Sequence, residues 1–347
     1  MAKNQIDLNN KLVYLIITGA SRGIGKELAI ETSKNFKTGS TVVLLARSKE
    51  GLENTKKVIN ETNKNVEVII KSIDLTKPSV EELDEIINNS FDASKNYDLT
   101  MIIHNVGTLG DISKWSNDMN DYNELEQYFS TNVFAPVILN NRLLKVIPKS
   151  MKTFIVNITS KAALHAFKSF GFYCMGKAAR EMYFKMIAEE FKDLLVLNYS
   201  PGPVESDMTV YAQNASISEE TSGMFKQLRN EGTILTTAMT TKRFLEVVAA
   251  GKYNSGDHML KSSNFHQSFL FLTKLAYKNR ITIPVFVCVA FLVCNFRWEI
   301  EISIQTERLQ VQANNSDQED IDLTDDDSDN SDDEYEPVST DDELTDI

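Results

Sequence analysis

Short apolar runs alternate with longer amphipathic ones along the first two thirds of the chain. Those at 13–17, 41–45, 66–70, 99–104, 153–158 and 194–199 are brief, rich in Val, Ile and Leu, and bounded by turn residues. That is the pattern of strands buried on both faces. Between them, segments 25–35, 49–62, 79–89, 122–147 and 172–192 carry apolar side chains at helical spacing. Strand and helix repeated in this order predict an α/β fold, a doubly wound parallel sheet flanked by helices.

The texture changes after residue 258. Residues 259–280 are mixed and read as a linker, and 281–296 (ITIPVFVCVAFLVCNF) are almost wholly apolar between Arg280 and Arg297–Trp298. With Pro284 and Asn295 inside it, this run is shorter than the ~20 residues that span a bilayer. Segment 281–298 therefore reads as a strand or helix packed on the body, with membrane contact as the alternative. Residues 299–347 end the chain in an acidic tail, expected to be disordered because it holds too little apolar surface to offset the entropy of folding.

Charge sharpens this division. The 347 residues carry a net charge of −13, but 16 Asp and Glu and no Lys or Arg lie between Asp317 and Ile347, which leaves +3 for residues 1–316. Such a body has no basic footprint for nucleic acid. Three cysteines (Cys174, Cys288, Cys294) make no disulfide framework, and the four histidines share no ligand spacing with them, so no metal site is expected. The polar start MAKNQIDLNNKL is not a secretory signal, and a reducing, cytoplasmic setting is expected.

Candidate chemistry begins where the first strand ends, in TGASRGIG at 18–25. Glycines at 19, 23 and 25 suit a tight turn, close approach of backbone to a pyrophosphate, and a helix N-terminus facing the anion. The second strand closes on Arg47 rather than an acid, and Arg47 with Arg22 offers positive charge to a 2′-phosphate, favouring NADP over NAD. Asp74–Leu75 and Asn105–Val106–Gly107 follow the third and fourth strands, at the carboxyl ends where open α/β sheets bind ligands. Asp74 serves equally well as a helix cap. Asn132 is a polar residue beside Phe129, Val133 and Phe134. Tyr173 and Lys177 are four residues apart, on one face of a predicted helix, thirteen residues or more beyond Ser160. An ammonium beside a phenol lowers its pKa from about 10 by roughly 1–3 units, towards the range of efficient acid–base catalysis.

Together with PGPVESDM at 201–208, these residues resemble the short-chain dehydrogenase/reductase family over 12–258, and the C-terminal extension does not match. The resemblance implies a Rossmann-like NADP-binding domain at 1–258 and NADP(H)-dependent reduction of a carbonyl. It gives Tyr173 the role of proton donor, Lys177 that of lowering the tyrosine pKa and holding the nicotinamide ribose, and Ser160 a hydrogen bond to the carbonyl oxygen. Asn132 would position a water relay to Lys177. Gly19, Ser21, Arg22, Gly23, Ile24, Gly25 and Arg47 would surround the phosphates and ribose, Asp74 and Leu75 the adenine, Asn105 the cofactor cleft, and Pro201 and Gly202 the nicotinamide. A homodimer joined in part through the Tyr173 helix is also implied.

NVGTLGD at 105–111, YCMGKAAR at 173–180, LNYSPGPVESDM at 197–208 and YNSGDH at 253–258 resemble a branch of that family that reduces side-chain ketones of a pterin. That branch usually places Val-Asp after Ser-Gly-x-His, and the aspartate anchors the pterin. Here Met259–Leu260 follow, so Leu260 stands at the anchor position, with Asp257 or Asp207 as candidate substitutes. The alternatives are a short-chain reductase for another carbonyl and a tail-driven interaction protein with a reductase-like body.

Overall fold

The computed structural model describes residues 4–260; the linker beyond Leu260, the 281–298 segment and the acidic tail lie outside the described residues. Seven strands form one parallel sheet: β1 (Val13–Thr18), β2 (Thr41–Ala46), β3 (Glu67–Ser72), β4 (Leu99–His104), β5 (Thr153–Ile158), β6 (Leu194–Ser200) and β7 (His258–Leu260). Their order is β3-β2-β1-β4-β5-β6-β7. The winding reverses at β1, which lies between β2 and β4, and a crevice opens there at the carboxyl ends of the strands. Every residue of β1, β2, β4 and β5 is buried, which explains their continuous rather than alternating hydrophobicity.

Nine α-helices join these strands among the described residues: α1 (Gly23–Ser33), α2 (Lys49–Thr62), α3 (Val80–Asn88), α4 (Tyr122–Phe129), α5 (Ala135–Val146), α6 (Gly171–Glu190), α7 (Asp207–Ala215), α8 (Glu219–Asn230) and α9 (Thr237–Ala250). Alternate residues of β1 point to opposite faces, as the two-residue period of a strand requires. Val13, Leu15 and Ile17 pack with Leu28 and Phe244 of α1 and α9. Tyr14 and Ile16 pack with Ile87, Leu139 and Phe184 of α3, α5 and α6. Among the described residues, no helix is long and apolar enough to cross a membrane.

Two boundaries differ from the sequence pattern. The single helix expected over 122–147 is interrupted by a π turn at Ser130–Phe134. Pro136 has no N–H to give the carbonyl four residues earlier, that of Asn132, and the chain widens locally where an α-helix would otherwise continue. The body also runs past residue 258: β7 pairs with β6 through Asn198↔His258 and Ser200↔Leu260, and one compact unit takes in all the described residues.

Candidate active site

The glycine loop is seated between β1 and β2, with the Gly19 amide donating to the Leu45 carbonyl at 2.7 Å. A Cβ on Gly25 would overlap the Gly19 carbonyl and stand 2.5 Å from Asn105 Nδ2, so no other residue fits without moving the loop. Gly23, at φ +60°, faces open space. Arg22 at the N-cap of α1 makes no side-chain cap, so the first-turn N–H groups remain available to an anion. This cradle fits a dinucleotide pyrophosphate.

The surrounding residues divide into supports and exposed groups. Asn105 braces the loop from behind: its Nδ2 donates to the Thr18 and Gly19 carbonyls at 3.1 and 3.3 Å. Asp74 closes a turn on Thr76, whose amide and hydroxyl donate to it at 3.0 and 2.8 Å and hold its carboxyl below the usual range. Leu75 is buried, Ile24 packs on the core, Ser21 is half-buried, and Arg47 is exposed at the end of β2. Arg22, expected with Arg47 at a 2′-phosphate, forms an ion pair with Asp207 at the start of α7, both side chains well exposed. Pro201 and Gly202 follow β6, and the Pro201 carbonyl accepts from Thr240 Oγ1 at 3.0 Å.

Ser160, Tyr173, Lys177 and Asn132 meet at the carboxyl ends of β4 and β5. Ser160 caps the short turn Lys161–Ala163, accepting from the Ala162 amide at 3.2 Å. Tyr173 and Lys177 lie in the first two turns of α6, with Nζ 5.5 Å from the tyrosine ring centre. Nζ donates to the Ile158 carbonyl at 2.7 Å. Asn132, in the π turn, accepts from the Thr108 amide at 2.8 Å and donates to the Tyr128 carbonyl at 2.9 Å. Gly107 marks how closely these groups converge: a Cβ there would lie 3.2 Å from Asn132 Oδ1 and 3.7 Å from Lys177 Nζ.

The electrostatics depart from the simple picture of a lysine lowering a tyrosine. Burial pushes the Tyr173 phenol up; the Ser160 hydroxyl and then the positive charge of Arg180 act against it. Burial, followed by Arg180, drives the Lys177 ammonium well below its ordinary value. Lys177 is itself dehydrated, and the buried Arg180 is a second cation whose charge acts on the phenol. Sequence reading passed over this residue, although it lies three beyond Lys177 and seven beyond Tyr173, within one helical face.

An apolar wall of Leu109, Ile112, Phe170, Ala212 and Phe225 adjoins Tyr173 and Met208. Neither candidate substitute for the pterin-anchoring carboxylate is presented beside it as a free group. The Asp257 carboxylate accepts from the Asn254 amide at 2.7 Å, three residues and about 10 Å before the carboxyl edge of β7. Asp207 is engaged by Arg22. Leu260 pairs with Ser200 at that edge and is 42% exposed.

Residues 14–216 match the short chain dehydrogenase family. The sepiapterin reductase of Xenopus tropicalis is 35% identical over 254 residues, covering 71% of this chain and 95% of the relative. That of Rattus norvegicus is 31% identical over 247 residues, covering 70% and 94%. A benzil reductase of Bacillus subtilis is 26% identical over 252 residues, covering 71% and 97%. Among solved structures, a short chain dehydrogenase/reductase from Saccharomyces cerevisiae superposes with a TM-score of 0.61 at 23% identity, covering 73% of this chain and 96% of that one. One from Shigella flexneri complexed with NADP superposes at 0.58 with 24% identity, covering 73% and 98%. With its seven-stranded parallel sheet, its glycine cradle and a matching segment that takes in more than half its length, the chain belongs to the short-chain dehydrogenase/reductase family of oxidoreductases.

Proposed function

We propose that the chain is an NADPH-dependent carbonyl reductase acting on sepiapterin or a related pterin side-chain ketone. The observation that carries this is the convergence of Ser160, Tyr173, Lys177 and Asn132 beside the glycine cradle. The sepiapterin reductases at 30–35% identity support the substrate, and Arg47 at the end of β2 supports a 2′-phosphorylated cofactor. The cradle and Arg47 would hold NADPH, which supplies a hydride when bound. Tyr173 gives its hydroxyl proton to the carbonyl oxygen as the alkoxide forms, and Ser160 donates a hydrogen bond to the same oxygen. Lys177, its proton loosened by burial, returns a proton to Tyr173, while Asn132 holds the Gly107–Thr108 loop beside it. The apolar wall excludes water from the reacting carbonyl.

The protein acts as a homodimer in the cytoplasm. Met175, Met182 and Met186 recur along the outer face of α6 and are exposed with Phe134 at the head of α5, an apolar stripe suited to a second copy.

A reductase for another, less polar carbonyl is favoured by one observation: Leu260 stands where the pterin branch carries a carboxylate. The experiment that tests these readings follows NADPH absorbance with sepiapterin and, in parallel, a simple aromatic diketone. Turnover of sepiapterin supports the first. Turnover of the diketone alone moves the assignment to the second.

A further inference from the structure

Arg180 is only 1% exposed and is among the largest fully buried side chains of the described residues. All five guanidinium donors are used. Nε donates to Asn157 Oδ1 at 2.7 Å; Nη1 donates to the Val106 and Asn132 carbonyls at 2.7 and 3.4 Å; Nη2 donates to the Ile158 and His104 carbonyls at 2.7 and 3.3 Å. The carboxyl ends of β4 and β5 and the π turn are thereby fastened to one group on α6. Two of these acceptors belong to the proposed catalytic apparatus. The Ile158 carbonyl is shared with Lys177 Nζ, and the Asn132 carbonyl is the one that Pro136 denies its usual helical donor. No acid pairs with Arg180 among the described residues; the neighbouring Glu181 turns instead to Thr159, His258 and Lys185.

Burying a cation without a counter-ion is expensive, and five neutral acceptors satisfy its hydrogen bonds without cancelling its charge. An apolar side chain of similar volume would fill this space without burying a charge, so packing alone does not account for the guanidinium. We infer that Arg180 is a positioning residue for the Tyr173–Lys177 pair: its guanidinium ties the carbonyls on which that pair rests into one frame and supplies the frame's permanent positive charge. The titratable groups around it are Tyr173, Lys177 and Glu181 on α6, Tyr128 on α4, and His104 at the end of β4. Burial lowers its pKa, but a guanidinium so fully hydrogen-bonded keeps its charge in the folded protein. Its field favours the tyrosinate and disfavours the lysine ammonium, so Tyr173 becomes a better proton donor and Lys177 a readier source of its replacement.

The inference rests on the proposed role of Tyr173, but its test does not need a substrate. Ultraviolet difference titration of the cofactor-free protein, wild type against Tyr173→Phe, isolates the Tyr173 phenol. In an Arg180→Met background that titration is expected to move up by about 1 pH unit or more, and Arg180→Lys is expected to restore part of the difference. Asn157→Asp keeps the shape and sets a carboxylate against Nε, so it is expected to shift Tyr173 in the same direction even if Arg180→Met does not fold. In carbonyl reduction, both charge-cancelling variants should move the alkaline limb of the pH–kcat profile upward and lower kcat by about 100-fold. An unmoved Tyr173 titration in folded Arg180→Met, or in Asn157→Asp, would overturn the inference. Loss of all carbonyl turnover by the wild type with the titration shift intact would instead remove the proposed function alone.

Discussion

Burial, reinforced by the charge of Arg180, keeps His104 neutral, and this makes the fold sensitive to mild acid. His104 ends β4, is fully buried, and has its Nε2 3.2 Å from Asn140 Oδ1. Its ring lies 5.0 Å from that of Phe184, and its carbonyl accepts from Arg180. Burial first, and Arg180 second, hold its pKa down at about 3, against an ordinary 6.5. The unfolded chain therefore binds a proton that the folded chain refuses, and stability declines as pH falls below 6.5 towards 3. Each pH unit within that window is worth about 1.4 kcal/mol, so lowering the pH from about 7.5 to about 5 should remove about 2 kcal/mol through His104 alone. The Glu181 carboxyl is held below its ordinary 4.5, so its contribution is lost at lower pH and leaves this interval largely to His104. Urea denaturation at the two pH values, in wild type and His104→Gln, reads the difference. The variant starts less stable because it loses ring packing, but it should lose about 2 kcal/mol less than wild type on acidification. Equal losses in the two proteins would refute the assignment of a neutral, protected His104.

Other expectations follow from the cofactor and substrate sides of the cleft. Gly25→Ala pushes a methyl into the Gly19 carbonyl; it should abolish NADPH binding, seen as lost quenching of protein fluorescence, and destabilise the fold by about 1–3 kcal/mol. Arg47→Glu should lower the ratio of NADPH to NADH efficiency by about tenfold or more while leaving thermal stability within about 0.5 kcal/mol, because the side chain is exposed. Leu260→Asp, at an exposed edge position, should leave stability unchanged within about 0.5 kcal/mol and lower KM for sepiapterin without raising turnover of an aromatic diketone.

How much of this was legible in the sequence depended on how local the determining forces were. The first six strands were readable because each is a short apolar, β-branched run, four of them buried along their whole length, and Leu99–His104 and Thr153–Ile158 match the pattern to the residue. The expected helix over 122–147 missed the π turn, although Asn132 and Pro136, four apart, carry its cause. β7 escaped notice because three residues show no period; it exists through pairing with β6. The Tyr173–Lys177 proximity was legible from helical spacing, whereas the direction of their pKa values was not, because dehydration depends on what the rest of the chain packs over them. The Arg22–Asp207 pair joins residues 185 apart in sequence and could be seen only after folding. Arg180 is legible from spacing alone, since it completes the Tyr173–Lys177 face of α6.

The central claim is that Tyr173 delivers the proton in NADPH-dependent carbonyl reduction. Tyr173→Phe removes one hydroxyl from a half-buried site and leaves the glycine cradle and the Lys177–Ile158 hydrogen bond untouched. Measured beside the wild type with sepiapterin, the variant should bind NADPH with nearly the same Kd and lose kcat by about 100-fold or more. A variant that reduces sepiapterin at the wild-type rate would contradict the account.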